Sequence, residues 1–411
     1  MTYLDHAATT PMLADAVAAM SEAMSRTGNA SALHSSGRLA RREVEESREA
    51  IAAALGARPS EVLFTGGGTE GDNLALKGIF WAQRQADPAR TAVLVSATEH
   101  HAVLEAAEWL EQHEGAELEL LEVDQFGRVR PETLRAALAG CAGRAALVSV
   151  MWANNEVGTV NPISELAAIA HEFDVPLHTD AVQAAGVLPV DFGSCGADAL
   201  TVTGHKLGGP YGQGALLLRR ELKCMPLLHG GGQERDVRSG TLNVPAVVGF
   251  AVAVRHAVAD APRRGPELAR LRDELVRGVL AEVPDAVYNG DPGHDVIGGG
   301  PSRLPGNAHL SFPGCEGDSL IMLMDAQGIE CSTGSACTAG VARPSHVLLA
   351  MGADEATARG SLRFSLGHTS GRAEVQAVLE AIGPVVERAR RAGQPGRRQA
   401  VGAASTGRPV S

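Results

Sequence analysis

The sequence predicts an α/β fold with a large domain, in which helices cover a mostly parallel seven-stranded sheet, and a smaller α+β domain. Between about residues 60 and 220, seven short apolar runs alternate with stretches of helical pattern, as in chains whose strands are buried on both faces of a sheet. After about residue 255 this alternation stops, and a strand near residues 309–312 follows a connection rich in glycine and proline. The seven runs are Glu61–Phe64, Ala92–Ser96, Leu118–Val123, Ala145–Met151, Val175–His178, Ala199–Thr203 and Ala215–Leu218.

The length of the chain also favours two domains. At 411 residues it exceeds the size at which one hydrophobic core stops growing. We assign residues 15–255 to the large domain, and residues 1–14 with 256–392 to the small domain, in which a charged helix is expected over Pro266–Glu282. The C-terminal residues 393–411 are mainly Gly, Pro, Ala, Ser and Arg, too few of them apolar to offset the entropy of ordering, so a disordered tail is predicted.

Composition and charge argue against several kinds of partner. The formal net charge of -12 does not suit a general nucleic-acid surface, which needs clustered Lys and Arg. No stretch approaches the roughly 18 uninterrupted apolar residues of a membrane span. The N-terminus has neither a basic start nor an apolar run typical of a secretion signal, so a cytoplasmic location is expected. The six cysteines show no paired spacing, which favours reduced thiols.

The apolar runs end in polar or glycine-rich segments, and ligands of open α/β sheets bind where strands end. After the first run, three consecutive glycines lie between a strand and a helix, so free backbone N–H groups and the positive helix end can face an anion. A nucleotide phosphate loop would close with Gly-Lys-Ser/Thr, whereas here Thr69 is followed by Glu70. Two interpretations of this segment therefore remain open when it is considered alone: it binds a phosphate, or it is a glycine turn without a ligand.

Asp180 follows the run Val175–His178 and precedes Ala-Val-Gln183, which places a carboxylate and an amide at this edge of the sheet. A carboxylate there can keep a pyridine nitrogen protonated. Pyridoxal phosphate (PLP) acts as an electron sink only while its ring nitrogen stays positive, and an aspartate is the common partner. On local evidence a helix-capping aspartate explains the residue equally well.

Lysine is scarce in this chain. Only Lys77, Lys206 and Lys223 occur, while arginine supplies nearly all of the positive charge. Lys206 follows the run Ala199–Thr203 and precedes a glycine-rich turn that allows a ligand to approach the backbone closely. Arginine is too basic to act as a neutral nucleophile, so a chain that otherwise prefers arginine has a chemical reason for this lysine. We therefore predict that Lys206 bonds covalently to PLP.

Several motifs taken together resemble those of the NifS/IscS group of cysteine desulfurases, which are fold-type I PLP enzymes of the class-V aminotransferase family. The similarity runs from Tyr3 to about Gly367, nearly the whole chain except the tail. The motifs are Gly-Thr-Glu-x-Asp-Asn, Thr-Glu-His-His-Ala-Val, Asn-Asn-Glu-x-Gly, Asp-Ala-Val-Gln, Gly-His-Lys and Arg-Ser-Gly-Thr.

The resemblance implies a set of cofactor-binding residues. Thr69, Thr203 and His205 would hold the phosphate, and Thr241 would reach the site of a partner subunit, which implies a homodimer. Lys206 would anchor the cofactor. The remaining implied residues are His100, which would stack on the ring and transfer protons, Asp180, which would pair with the ring nitrogen, and Asn155 and Gln183, which would hydrogen-bond near the ring oxygen and the substrate.

The resemblance also implies that L-cysteine is converted to L-alanine and that its sulfur becomes a persulfide on Cys337, for transfer to a sulfur-acceptor protein. Cys337 lies in a run of small and hydroxyl residues, which predicts an exposed loop rather than the buried position usual for a lone cysteine. Arg363 would bind the substrate carboxylate through two parallel hydrogen bonds. Cys331, six residues before Cys337, is expected to pack without a catalytic role.

Other interpretations remain open at this point. A selenocysteine lyase would share the fold and cofactor while needing Cys337 less, and a non-catalytic sulfur-transfer scaffold would share the fold alone. A metal site at His100, His101, His178 and His205 is disfavoured, because none of the spacings matches a known ligand pattern. The pathway, either iron–sulfur cluster assembly or thio-modification, is not fixed by these residues.

Overall fold

The computed structural model describes residues 1–334 and 344–393, in which fourteen strands and eleven α-helices are found. The strands are β1 (Thr2–Tyr3), β2 (Val62–Thr65), β3 (Ala92–Ser96), β4 (Glu117–Leu121), β5 (Ala145–Ser149), β6 (Leu177–Asp180), β7 (Ala199–Thr203), β8 (Gly214–Leu218), β9 (Val287–Tyr288), β10 (Val296–Ile297), β11 (Gly300–Pro301), β12 (Asn307–Ser311), β13 (Ile329–Glu330) and β14 (Ser361–Ser365). The helices are α1 (Ala14–Met24), α2 (Ser35–Ala54), α3 (Gly68–Ala86), α4 (His101–Glu114), α5 (Pro131–Gly140), α6 (Ile163–Glu172), α7 (Val244–Glu282), α8 (Gly317–Asp325), α9 (His346–Ala350), α10 (Glu355–Arg359) and α11 (Arg372–Gly393).

The seven apolar runs form one sheet, as the sequence predicts. Its strand order is β2-β8-β7-β6-β5-β3-β4, and β8 alone runs in the direction opposite to the other six strands. The carboxyl ends of β2, β3, β5, β6 and β7 therefore lie at the same edge. The prediction of a mostly parallel seven-stranded sheet is confirmed.

Alternate residues along each central strand belong to different hydrophobic clusters on the two faces of the sheet. In β3, Leu94 packs with one cluster, whereas Val93 and Val95 pack with another that includes residues of α3 and α4. The first cluster includes residues of α2, α5, α6 and α7. Because both faces are covered by helices, nearly every residue of the central strands is buried, which explains why the runs are continuously apolar.

Helix α7 is longer than the sequence predicts. A helix was expected over Pro266–Glu282, but it begins at Val244 and continues through Pro262 and Pro266. Its first half packs in the core of the large sheet, and its second half packs in a different core. These contacts stabilise the helical conformation on both sides of the prolines, which would otherwise interrupt it. By length and composition, α7 is the one described helix apolar enough to cross a membrane, a test that core helices of soluble proteins also pass.

A second core lies against a small antiparallel sheet of order β14-β12-β9. Residues of α7, α8 and α11 complete it, together with Leu4 from the beginning of the chain. Strand β1 pairs with β13, and Asp5 then forms a bridge with Ser365 at the end of β14. The exact domain limits stay a prediction, and residues 394–411 of the predicted tail lie outside the described residues.

Candidate active site

A cavity of about 400 Å³ lies at the carboxyl edge of the large sheet. Nine of the predicted site residues line it. Thr241 is exposed on the surface and does not line this cavity, and Cys337 lies outside the described residues. The nine are Thr69, His100, Asn155, Asp180, Gln183, Thr203, His205, Lys206 and Arg363.

The glycine turn between β2 and α3 forms one end of the cavity. Gly67 has a φ of 142°, a conformation that side chains disfavour, and α3 begins at the next residue. A Cβ atom added at Gly68 would lie 3.0 Å from Cγ2 of Val182, so a side chain here would fill the space beside Thr69. Gly68 and Thr69, at the start of α3, both line the cavity, and the free N–H groups of a helix start suit an anion.

Asp180 lies at the end of β6 and is buried. Its Oδ1 accepts a hydrogen bond of 2.8 Å from the backbone N–H of Val182, so it closes the turn after the strand while lining the cavity. Burial raises the pKa of Asp180 to about 6. At neutral pH the carboxylate is thus mostly ionised, and a cationic partner in the cavity would hold it so.

Lys206 follows β7 by three residues and points its Nζ toward the N-terminal segment, which we define as residues 5–10. Nζ donates to the carbonyl oxygen of Ala8 at 2.6 Å and also to that of Ala7. Burial, followed by the positive charge of Arg363, lowers the pKa of Lys206 to about 8. A sizeable fraction of this amine is neutral near physiological pH, which nucleophilic attack on a carbonyl requires.

His100 precedes α4 and caps it, since its Nδ1 accepts a hydrogen bond of 3.1 Å from the backbone N–H of Ala102. Burial, and next the charge of Lys206, lower the pKa of His100 to about 4. The ring is therefore neutral at physiological pH, and with Nδ1 accepting, the proton is on Nε2. A flat, neutral ring at this edge of the cavity suits stacking against an aromatic ligand.

The neighbouring polar residues are held mainly by backbone groups. The Thr203 hydroxyl donates to the carbonyl oxygen of Gln213 at 3.3 Å. Nδ1 of His205 lies 3.3 Å from the Thr9 hydroxyl, and burial lowers the pKa of His205 to about 4. Nε2 of Gln183 donates to the carbonyl oxygen of Ala7 at 2.9 Å.

Arg363, in β14, forms the wall opposite the strand ends, and its side chain is 4% exposed. Nη1 donates to the carbonyl oxygen of Asn155 at 2.9 Å, and Nη2 donates to Oδ1 of Asp5 at 2.7 Å. Its Nε is buried and has no hydrogen-bond partner among the described residues. Arg363 therefore lines the cavity with one buried donor still unpaired among the described residues, as a side chain that binds an anion requires.

Two features of the site were missed in the sequence. The N-terminal segment contacts Lys206, Gln183, His205 and Arg363, although its motif was used only as part of the resemblance. Asp72 is buried, lines the cavity and leaves Oδ1 without a hydrogen-bond partner among the described residues. Burial, and then the charge of Asp180, raise the pKa of Asp72 well above its usual range.

Two histidines of the disfavoured metal site are occupied by hydrogen bonds. His178 is buried, and its ring nitrogens lie 2.9 Å from the Ser149 hydroxyl and 3.0 Å from the Thr201 hydroxyl. His100 uses Nδ1 to cap α4. Among the residues that the structure describes, no three His, Cys, Asp or Glu side chains converge as metal ligands. That the site needs no metal stays a prediction.

Residues 2–378 match the family described as Aminotransferase class-V. The chain belongs to the class-V aminotransferase family. A relative within it is the IscS-like cysteine desulfurase of Mycobacterium tuberculosis, which is 59% identical over 392 residues, 95% of this chain and 98% of the relative. At this identity and coverage, the chain is a member of the IscS-like group of the family, as its motifs predict.

Solved structures agree with this class-V aminotransferase assignment. The NifS-like protein from Rickettsia africae has a TM-score of 0.82 and 30% sequence identity, with 94% of this chain and 99% of that chain covered. A structure described as SspA in complex with cysteine has a TM-score of 0.76 and 32% identity, with 89% and 99% covered. The fold-type I architecture predicted from the sequence is confirmed.

Class-V aminotransferases in general use PLP, and the described residues fit this cofactor. The cradle at Gly68 and the start of α3 suits a phosphate. Asp180 suits a protonated pyridine nitrogen, and the partly neutral amine of Lys206 suits an aldehyde. These groups line one cavity. A single ligand that has an anionic end for the cradle, a basic ring nitrogen for Asp180 and a carbonyl for Lys206 would match all of them.

Proposed function

We propose that this protein is a PLP-dependent cysteine desulfurase that converts L-cysteine to L-alanine and leaves the sulfur as a persulfide on Cys337. The observation that carries the proposal is that Lys206, Asp180 and Arg363 line a single cavity, which brings an amine, a carboxylate and a guanidinium together. Membership in the IscS-like cysteine desulfurases supports the same activity.

The proposed binding of PLP uses the residues described above. Thr69, Thr203 and His205 would hold the phosphate, His100 would stack on the ring, and Asp180 would pair with its nitrogen. Asn155 and Gln183 would hydrogen-bond near the ring oxygen and the substrate, and Lys206 would be the covalent anchor. When bound, PLP supplies an electron sink that stabilises negative charge on the α-carbon of an amino acid.

The residues of the chain itself would bind the substrate and move protons. Arg363 would bind the α-carboxylate through Nε and Nη2, which fixes the orientation of the amino acid. Nζ of Lys206 would take the α-proton, a transfer for which a pKa near 8 suits work at neutral pH. Neutral His100 would donate or accept a proton through Nε2.

The proposed sulfur transfer balances without an external oxidant. The thiolate of Cys337 attacks the sulfur of the bound cysteine, an S–S bond forms, and the C–S bond breaks. The electron pair of the broken bond stays on the former β-carbon, which takes a proton, and Lys206 would return the α-proton to the α-carbon, so that alanine is formed. The persulfide on Cys337 is then the form in which sulfur passes to an acceptor protein, whose identity the site does not specify.

The test is to supply the purified protein with PLP and L-cysteine, and to measure alanine and protein-bound persulfide in the same sample. We expect equal amounts of both in a single turnover without acceptor, and neither from Cys337→Ser, which should still bind PLP and show its yellow colour. Full alanine formation by Cys337→Ser would refute the nucleophile assignment. If Cys337→Ala still turned over selenocysteine but not cysteine, a selenocysteine lyase would be the better description.

A homodimer is part of the proposal. Thr241 is exposed and does not line the cavity of its own chain, which suits a residue that completes the phosphate site of a second copy. Sedimentation equilibrium should give twice the chain mass. If each site takes Lys206 from one subunit and Thr241 from the other, a hybrid dimer of a Thr241→Ala subunit and a Lys206→Ala subunit should contain one intact site and one site that lacks both side chains. The activity of the mixture should therefore exceed the sum of the activities of the two variants measured separately. No recovery of activity would contradict a shared site.

A further inference from the structure

Asp5 holds the guanidinium of Arg363 from outside the active-site cavity. Nη2 of Arg363 donates to Oδ1 of Asp5 at 2.7 Å, and Arg363 lines the cavity whereas Asp5 does not. Nη1 is fixed separately by the carbonyl oxygen of Asn155 at 2.9 Å. The guanidinium is therefore held on two sides by acceptors, and the remaining buried donor is Nε, which has no partner among the described residues.

The position of Asp5 is itself fixed by the backbone next to Arg363. Asp5 bridges Ser365, which lies in the same strand as Arg363 and two residues after it. The backbone N–H of Ser365 donates to the carbonyl oxygen of Leu4 at 2.7 Å, and the N–H of Ala7 donates to the Ser365 hydroxyl at 2.9 Å. Asp5 and Arg363 are thus held at a set spacing by hydrogen bonds on both sides of Asp5.

A guanidinium has five N–H donors in one plane, so acceptors at Nη1 and Nη2 set the direction in which the Nε edge points. An unrestrained arginine loses side-chain entropy when it binds a ligand, and part of this cost is removed when the side chain is already held. Nη2 has a second hydrogen besides the one given to Asp5, and Nε–H has no partner among the described residues. This pair of parallel donors matches a carboxylate.

We propose that Asp5 is a positioning residue that orients Arg363 so that its Nε edge receives the α-carboxylate of the amino-acid substrate. This inference rests on the proposed function, because it assumes that Arg363 binds that carboxylate. Asp5 acts through an accepted hydrogen bond rather than by touching the substrate. Asp5→Asn, which keeps an acceptor at the same place, should therefore preserve most of the effect, and Asp5→Ala should lose it.

The experiment compares binding of L-alanine and of L-alaninamide, which lacks the carboxylate, to the PLP-loaded protein by the change in cofactor absorbance. For Asp5→Ala we expect L-alanine to bind about tenfold more weakly, less than the roughly hundredfold loss that a 1 Å misplacement can cause, and L-alaninamide to bind unchanged. Asp5→Asn should stay within about threefold of the parent for both ligands. With L-cysteine, Asp5→Ala should raise KM and leave kcat nearly unchanged.

Asp285→Ala is the matched control, because Asp285 accepts two hydrogen bonds from Arg390 on the surface and does not line the cavity. It should bind both ligands normally. Equal weakening of L-alanine and L-alaninamide by Asp5→Ala, a loss of PLP affinity, or an Asp5→Asn variant as weak as Asp5→Ala would overturn the inference, since each indicates a general disturbance of the N-terminal segment.

Arg363→Ala separates this inference from the proposed function. If Arg363→Ala weakens L-alanine binding and Asp5→Ala does not, the inference about Asp5 is wrong and the role of Arg363 stands. If neither variant changes L-alanine binding, the carboxylate assignment of Arg363 fails as well. Thermal unfolding of each variant shows whether the protein is folded, and if Asp5→Ala does not fold, Asp5→Leu, which fills the position without an acceptor, takes its place in the comparison of both ligands.

Discussion

The two walls of the active-site cavity are built in different ways. The strand-end wall carries Asp180 and Thr203, which are the last residues of two neighbouring strands, and Lys206, which follows the second of these strands by three residues. The regular hydrogen bonds of the sheet place these strand ends side by side. The opposite wall is formed by the N-terminal segment and Arg363, where Asp5 and its arginine partner are 358 positions apart in the sequence. Lys206 joins the walls, because its Nζ donates to the carbonyl oxygens of Ala7 and Ala8.

This difference suggests a division of tasks. The strand-end wall offers groups that suit PLP, namely a carboxylate, a hydroxyl and an amine, on a rigid sheet. The opposite wall offers the guanidinium of Arg363, whose Nε has no partner among the described residues, and a guanidinium suits the substrate carboxylate. Substitutions in the first wall should therefore abolish cofactor chemistry, whereas substitutions in the second should chiefly change substrate affinity.

The largest effect is expected for Lys206→Ala. Loss of the amine removes the proposed covalent anchor and the proposed proton acceptor, so alanine formation should fall by roughly a thousandfold or more. Lys206→Arg should be as inactive, since arginine keeps the charge without a neutral amine. The measurement is alanine release, with PLP retention after gel filtration as the second readout. An active Lys206→Ala that keeps its PLP would remove the basis for the strand-end wall.

A smaller loss is expected for Arg363→Ala. Without the guanidinium, the carboxylate loses two charge-assisted hydrogen bonds, and kcat/KM for L-cysteine should fall by about a hundredfold, mainly through KM. Arg390→Ala is the control, because Arg390 pairs with Asp285 and does not line the cavity. If kcat fell while KM stayed constant, Arg363 would act on the chemistry itself and the division between the walls would be wrong.

A moderate effect concerns the pH dependence of PLP capture by protein that has been freed of cofactor. Burial, and then the charge of Arg363, lower the pKa of Lys206 to about 8. The reactive neutral amine should thus rise from about a tenth of the protein near pH 7 to about nine tenths near pH 9, and the capture rate should rise by about tenfold over that range. Stopped-flow absorbance gives the rate, with Lys206→Ala as the blank. A rate that rises only above about pH 10 would mean that the lysine is not desolvated.

The smallest effect is expected for Cys331→Ala. Burial raises the pKa of Cys331 to about 12, so its thiolate is scarce at neutral pH, although the next residue along the chain, Ser332, lines the cavity. Activity should stay within about twofold of the parent, and iodoacetamide near pH 8 should leave Cys331 unlabelled by mass spectrometry. Strong labelling, or loss of activity like that of Cys337→Ser, would assign Cys331 a chemical role.

Much of the strand-end wall could be predicted from the sequence. Parallel strands end at one edge, so a polar residue directly after an apolar run is placed by a local rule, as Asp180 and Lys206 illustrate. Asp72 was missed because it lies inside α3. From the sequence alone, an aspartate within a helix is expected on the exposed face, and only the structure shows that Asp72 is buried. Asp5 was missed because its partner, Arg363, lies in β14, and no residue near Asp5 in the sequence indicates that β14 packs beside it.

The length of α7 also could not be predicted from local sequence rules. Two prolines predict an interruption by local rules, yet the helix continues, because its halves pack in two different cores that the sequence does not reveal as neighbours.

The sequence by itself determined the α/β class, the sheet, the family and the nature of the reactive groups, because these depend on local pattern and on side-chain chemistry. The tertiary structure decided which groups meet: it set Asp5 against Arg363, placed the carbonyl oxygens of the N-terminal segment on Lys206, and buried Asp180 and Lys206 enough to shift their pKa values toward neutrality. Contacts between distant residues and loss of solvent arise only when the chain packs, and for that reason no local pattern encodes them.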